Sequence, residues 1–223
     1  KPGVMEFEIE AELMHEFLCN RSNGFAYQPI IGSGSNSCVL HYIENNKPCK
    51  DGDILLMDFG AEYANYASDL TRTVPVNGRF SKRQREVYNS VHYVMKEAYK
   101  MLKCGTMFKD YNSEIGRIME IELIKLQLLD KHDVQKQDPK NPLFRKYFMH
   151  GTSHYLGLDV HDVGSFDWPM KEGMVFTCEP GIYIQEENLG IRLENDVLIT
   201  ENGPDDLMKN IPIEAEEIED LMN

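Results

Sequence analysis

Two pairs of acidic residues and a short histidine-rich run carry the chemistry of this sequence. Asp58 and Asp69 lie on β-prone runs at 54–60 and 67–76. A hairpin centred between Tyr63 and Ala64 sets Asp58 opposite Asp69. Facing Cβ atoms on antiparallel strands are about 5 Å apart, and like charges there destabilise a sheet. Either one carboxyl keeps a proton or a cation lies between the two. The runs 174–184 and 190–200 repeat the pattern, since a turn centred between Glu186 and Glu187 sets Glu179 opposite Glu194. Strand interiors disfavour Asp and Glu. The competing reading places these acids on solvated faces, and neither turn carries an Asn-Gly or Asp-Gly dipeptide to fix the register.

The run HGTSHYLGLDVHD at 150–162 adds His150, His154 and His161. If 150–154 is extended, His150 and His154 point to one face. Four carboxylates and one imidazole make an oxygen-rich, five-ligand set. Such a set suits hard divalent ions, Mn²⁺ in particular, with Zn²⁺, Co²⁺ and Fe²⁺ as alternatives. Four negative charges are balanced by two divalent ions, which favours two metals over one. Two metals sharing carboxylates activate water at neutral pH and polarise a carbonyl, the requirement for hydrolysing an amide or ester.

The elements that must position these residues follow from periodicity. Glu6–Cys19 reads as a helix, and Phe25–Ser37 as a strand running into a Gly/Ser loop. Asp51-Gly52-Asp53 marks a turn before the strands Ile54–Gly60 and Ala67–Val76. Ser81 and Gln84 form a capping box. It opens a long helix with Val87, Val91, Val94, Met95, Ala98 and Leu102 on one side, stopped near Gly105. A second helix is expected from about Asn112 to Leu129, an exposed loop over Asp130–Lys146, and a short acidic helix over Ile213–Asn223. Two long helices between strand-rich ends indicate an α+β fold rather than alternating βαβ units.

The chain has 223 residues, 23 Lys plus Arg against 37 Asp plus Glu, and a net charge of −14. A phosphate backbone or an anionic surface needs a basic patch, which this acidic balance disfavours, so neither nucleic acid nor membrane is an expected partner. No apolar run approaches the roughly 18 residues of a spanning helix. The five cysteines (Cys19, Cys38, Cys49, Cys104, Cys178) show no paired or zinc-type spacing. They read as free thiols of a reducing compartment, hence a cytoplasmic location. The opening Lys1-Pro2-Gly3 suggests a piece of a longer protein, with residues 1–223 forming one catalytic domain.

HGTSHYLGLDVHD closely resembles the signature of Xaa-Pro aminopeptidases, metallopeptidases with a pita-bread catalytic domain: a curved, mainly antiparallel sheet with helices outside. The resemblance extends through LLMDFGAEY, ASDLTRT, TCEPGIYI and GIRLEND. It implies Asp58, Asp69, His154, Glu179 and Glu194 as ligands of two metals, and cleavage of the bond before a proline at the second position of a peptide by a hydroxide bridging them. It implies that His41 stabilises the transition state beside the substrate and that His161 contacts the scissile carbonyl side. His150, Tyr183 and Arg192 would receive the proline ring. Glu179 would also carry a proton to the proline nitrogen, and Asp58 would meet the substrate's α-amino group. The tertiary amide before proline has no N–H, so a site that grips the free amino terminus and the ring does not need one. Members of this family normally carry an N-terminal domain that contributes to oligomer contacts, so a homo-oligomer is an expectation for the longer protein.

Three other functions compete. An Xaa-Pro dipeptidase would use the same ligands, but dipeptidases typically have Gly at the position of Ser153 and Glu at that of Asp162. A methionine aminopeptidase fits LGLDVHD poorly. A non-catalytic pita-bread module that binds a partner protein would have lost ligands, and all five stand here.

Overall fold

The computed structural model describes all 223 residues. Helix α1 spans Glu6–Cys19, the expected limits, and Glu8 reaches back to the Met5 N–H at 2.7 Å. Strand β1 is Ile30–Ser33, followed by a 3₁₀ turn at Gly34–Cys38. Strands β2 (Ile54–Phe59), β3 (Glu62–Tyr63), β4 (Tyr66–Ala67) and β5 (Leu70–Pro75) come next. Strands β1, β2 and β5 form one antiparallel sheet, and β3 and β4 pair at its tip.

Helix α2 (Lys82–Met101) opens on the expected capping box, in which Ser81 and Gln84 each accept the other's backbone N–H. Helix α3 covers Phe108–Lys125 and α4 Lys131–Lys136. The rest is β6 (Val175–Cys178), β7 (Gly181–Ile184), β8 (Leu189–Arg192), β9 (Asn195–Thr200), β10 (Gly203–Asp206) and α5 (Ala215–Met222). Strands β10, β9 and β6 form a second sheet and β7 and β8 a ribbon, every pairing antiparallel. The α+β expectation holds, and no helix is long and apolar enough to cross a membrane.

The period of two along the strands separates core from site. Phe176, Ile182, Ile191, Val197 and Ile199 pack on Val87, Val91, Ala98, Ile115 and Met119 of α2 and α3. Their alternates Thr177, Arg192, Glu194 and Asp196 are buried polar groups on the other face.

Several boundaries differ from expectation. The first hairpin turns on Ala64-Asn65, both at positive φ (52° and 70°), with Tyr63 opposite Tyr66. The turn centre therefore lies one residue later than expected, and Asp58 faces Thr71 rather than Asp69. The register moves by two residues, which keeps the face: Asp69 becomes Asp58's diagonal neighbour. The pairing breaks at Gly60, where a Cβ would fall 1.7 Å from the Ser68 carbonyl oxygen. The second hairpin has the expected register through both ladders. Each expected strand is split, at Glu179-Pro180 and at Leu193-Glu194. Helix α3 starts and ends four residues before its expected limits, and Gln127, at a left-handed φ of 61°, stops it short at the C-terminal end. The expected loop at 130–146 holds α4, capped by Asp130 accepting the His132 N–H at 2.7 Å, and a 3₁₀ turn at Leu143–Lys146. Strand β10 had no expectation.

Candidate metal centre

The two breaks in the second hairpin put Glu179 and Glu194 side by side where the ladders part. A bridge between Thr71 and Glu194 then joins this hairpin to β5. The result is a cleft of about 440 Å³ lined by all five expected ligands together with His41, His150, His161 and Arg192. Asp69, His154 and Glu194 each offer one ligand atom within 4.8 Å of the others. His154 Nε2 also lies 3.4 Å from both Asp69 Oδ2 and Glu179 Oε1. Its Nδ1 faces the Tyr155 carbonyl at 2.9 Å. That carbonyl only accepts, so Nδ1 carries a proton and Nε2 is the atom turned to the acids, donating to Asp69 without metal and able to offer a metal its lone pair once deprotonated.

Asp58 stands slightly apart. Its Oδ2 is ion-paired to Arg192 Nη2 at 2.5 Å. The Tyr27 hydroxyl lies 2.5 Å from Oδ1 of both Asp58 and Asp69, tying the diagonal pair together. Both Asp58 oxygens are thus engaged, and a substrate ammonium there would share it with Arg192. The expected ring-binding group also comes together. Arg192 Nη1 donates to the Tyr183 hydroxyl at 2.7 Å, and that hydroxyl lies 2.8 Å from His150 Nε2. Burial, then Arg192, holds the His150 pKa down at about 3, so the ring is neutral and accepts the tyrosyl proton. The His161 ring lies 4.3 Å from that of His154, and burial with the His154 charge lowers its pKa. His41 lines the mouth, on the exposed loop after the 3₁₀ turn.

The electrostatics show a shortage of positive charge. Burial, followed by the charges of Asp69, Glu179 and Asp58, drives the Glu194 pKa well above the carboxylate range. Burial raises Glu179 to about 7, against the pull of His154 and Arg192. Burial also raises Asp58 despite Arg192. Burial lowers His154, but its bond to Asp69 and the Glu179 charge bring it to about 9. With His154 deprotonated, as a metal ligand must be, four carboxylates against one guanidinium leave three negative charges in a buried space. That deficit and the oxygen-rich donors with one inward-facing imidazole fit divalent cations.

Residues that the sequence reading passed over hold this set in place. Thr71 donates to Glu194 Oε2 at 2.6 Å, and Thr177 to Glu179 Oε1 at 3.1 Å. Asp196 accepts the Asp69 N–H at 3.1 Å, and burial raises its pKa to about 8. Thr71 and Thr177 each lie two residues from an acid on the same strand face, a signal the period of two contains. Tyr27 lies in a run read only as a strand, with no comparable signal.

The model of metallopeptidase family M24 matches residues 1–201. The chain belongs to this family. It is 43% identical over 234 residues to the Xaa-Pro aminopeptidase of Escherichia coli (strain K12), covering 100% of this chain and 53% of that protein. Among solved structures, the proline aminopeptidase P II from Yersinia pestis superposes with a TM-score of 0.93 at 39% identity. Aminopeptidase P from E. coli with the inhibitor Pro-Leu gives 0.92 at 42%. Each covers 100% of this chain and 53% of the solved chain. The chain thus spans about half the length of these M24 relatives. The expected pita-bread fold is the observed one.

Proposed function

We propose that this M24 domain is a metal-dependent aminopeptidase that removes the residue ahead of a proline at the second position of a peptide. The observation that carries this is the shared wall of two sites. Arg192 pairs with Asp58 on the acid side and with Tyr183 and His150 on the other. A ring pocket therefore abuts a cation-deficient carboxylate cluster, as a bond between an N-terminal residue and proline requires.

Asp58, Asp69, His154, Glu179 and Glu194 are the residues that would hold two divalent ions, Mn²⁺ by the hardness of the donor set. One divalent ion leaves the deficit of three charges unfilled. Bound ions would supply Lewis acidity and a water of lowered pKa. The chain's own groups do the rest. Glu179, beside the space the ions would fill, moves a proton toward the proline nitrogen, which as a tertiary amide must be protonated to leave. His161 and His41 donate to the developing oxyanion, an effect of order 3 kcal/mol for one good donor. Tyr183 and His150 seat the ring. Asp58, already shared with Arg192, meets the α-ammonium.

Residues 1–223 are proposed as one catalytic domain, in a cytoplasmic protein. Five cysteines without a disulfide support a reducing compartment. The test is cleavage by the Mn²⁺-loaded protein of Ala-Pro-Leu against the dipeptide Ala-Pro, with metal content measured on the same sample. Release of alanine from the tripeptide, little from the dipeptide, and about two ions per chain are expected. Preference for Ala-Pro would make it a dipeptidase, and a protein that takes up no metal would overturn the proposal.

A further inference from the structure

The loop that carries His41 is held by a carboxylate that no catalytic role absorbs. Glu6, in the first turn of α1, is 0% exposed. Its Oε1 accepts from the Ser33 N–H at 2.8 Å and Asn36 Nδ2 at 3.1 Å. Its Oε2 accepts from the Tyr42 hydroxyl at 2.7 Å and the Lys47 N–H at 2.9 Å. The Glu6 N–H in turn donates to the Lys47 carbonyl at 3.0 Å. No Lys, Arg or His nitrogen forms an ion pair with this acid.

Two of the four donors, Tyr42 and Lys47, bracket the loop that starts at His41. The other two fix the end of β1 and the 3₁₀ turn that leads into the loop. Asn45 adds a second stitch at a positive φ of 44°. Its Oδ1 accepts the Ile31 N–H at 2.9 Å, and its Nδ2 donates to Glu10 Oε2 at 2.8 Å. Tyr42 also belongs to a buried cluster with Ile30, Leu56 and Tyr183, the last of which contacts His150 and Arg192. His41 itself is exposed at the cleft mouth and has no hydrogen bond that would set its position.

We infer that Glu6 is a positioning residue: an all-acceptor clasp that sets the height of His41 over the carboxylate cluster from the far side of β1. The donor pattern demands an acceptor at every contact, which a carboxylate meets and a carboxamide does not. In Glu6→Gln an NH₂ must face two donors, one of them a backbone N–H that cannot turn away. An unmet buried group of this kind is relieved by moving the loop. A shift of about 1 Å at a group that contacts substrate costs on the order of a hundredfold in rate.

This inference rests on the role proposed above for His41, so its test separates the two. Glu6→Gln and the milder Tyr42→Phe are compared with wild type and with His41→Ala, each loaded with Mn²⁺ and assayed on Ala-Pro-Leu. Both substitutions should lower kcat, Glu6→Gln the more, with metal content per chain unchanged. In the His41→Ala background neither should lower it further. Amide exchange at Ser33 and Lys47, and the His41 ring resonances, should change in Glu6→Gln whether or not the protein cleaves peptides. A wild-type protein that loads metal but leaves the peptide intact would refute the peptidase reading alone, and the exchange and resonance data would still decide the role of Glu6. Equal losses with and without His41, or exchange and ring resonances identical to wild type, would overturn the inference.

Discussion

Thr71 and Glu194 are joined twice. The Glu194 N–H donates to the Thr71 carbonyl at 3.1 Å, and the Thr71 hydroxyl donates to Glu194 Oε2 at 2.6 Å. Arg192 Nε reaches the same hydroxyl at 3.2 Å. Thr71 is thus one of the points where the hairpin bearing Asp58 and Asp69 meets the one bearing Glu179 and Glu194. Thr71→Val keeps the shape and the backbone bridge but removes the donor. Groups that orient a ligand in this way typically govern metal affinity by about 10–100-fold. Chelator competition should show a loss of that size with an unchanged far-UV spectrum. An unchanged affinity would mean that Glu194 is held by its backbone alone.

Asp69 lies between Tyr27, His154 and the N–H bond to Asp196. Asp69→Asn keeps the volume and loses the charge. It should abolish Mn²⁺ uptake and activity together while the fold persists. His161→Ala should do the reverse, keeping metal and lowering kcat by about a hundredfold, the usual cost of one oxyanion donor. Elemental analysis beside kcat on each variant distinguishes the roles. An active Asp69→Asn protein would contradict the proposed ligand set.

Removing metal should make stability pH-dependent in a definite direction. Folding raises Glu179 from its ordinary 4.5 to about 7 and His154 from 6.5 to about 9. A group whose pKa is raised by folding contributes stability that is complete below its unfolded value and lost as pH rises through the folded one. Glu179 therefore ceases to favour the metal-free fold between about 4.5 and 7, and His154 between about 6.5 and 9. The lowered pKa of His150 acts oppositely, its contribution being lost only as pH falls from 6.5 toward 3. The Tm of chelator-treated protein should fall from pH 6.5 to 9. Mn²⁺ should flatten this dependence, and binding at neutral pH should release protons from His154, Glu179 and Glu194. Calorimetry in buffers of different ionisation enthalpy measures that release, and identical heats in all of them would refute it.

How far the site could be read before the fold was known depended on local period. The register of the second hairpin was legible from the facing of Glu179 and Glu194, but the breaks at Glu179-Pro180 and Leu193-Glu194 were not. Helix α2 followed its cap at Ser81 and Gln84, whereas α3, without a side-chain cap, was displaced by four residues. Tyr27 and Asp196 were not legible. Their partners are 31 and 127 residues away; nothing near Tyr27 marks it, and Asp196 has only its place two residues after Glu194 on the same face. Arg192 was expected beside the ring and proved equally a partner of the acids, which the charge balance of the carboxylates alone could not reveal.

The first hairpin was misplaced by one residue at its centre because its turn is chemically unusual. Ala64 and Asn65 occupy φ values of 52° and 70°, the two positive angles of a type I′ turn, and Ala is a poor residue there. A left-handed conformation costs a residue with a Cβ about 1–2 kcal/mol, less for Asn. The double substitution Ala64→Asn, Asn65→Gly supplies the favoured dipeptide at the same angles. Both residues are exposed, so nothing else is disturbed. A gain of about 1 kcal/mol is expected, which for a chain of this size is a Tm increase of about 2–4 °C. Metal content and kcat should not change, because the turn lies beyond the break at Gly60 and only Asp58 and Asp69, below it, reach the cleft. A lowered Tm would mean that the turn is not type I′, and the register that makes Asp69 the diagonal neighbour of Asp58 would need to be redrawn.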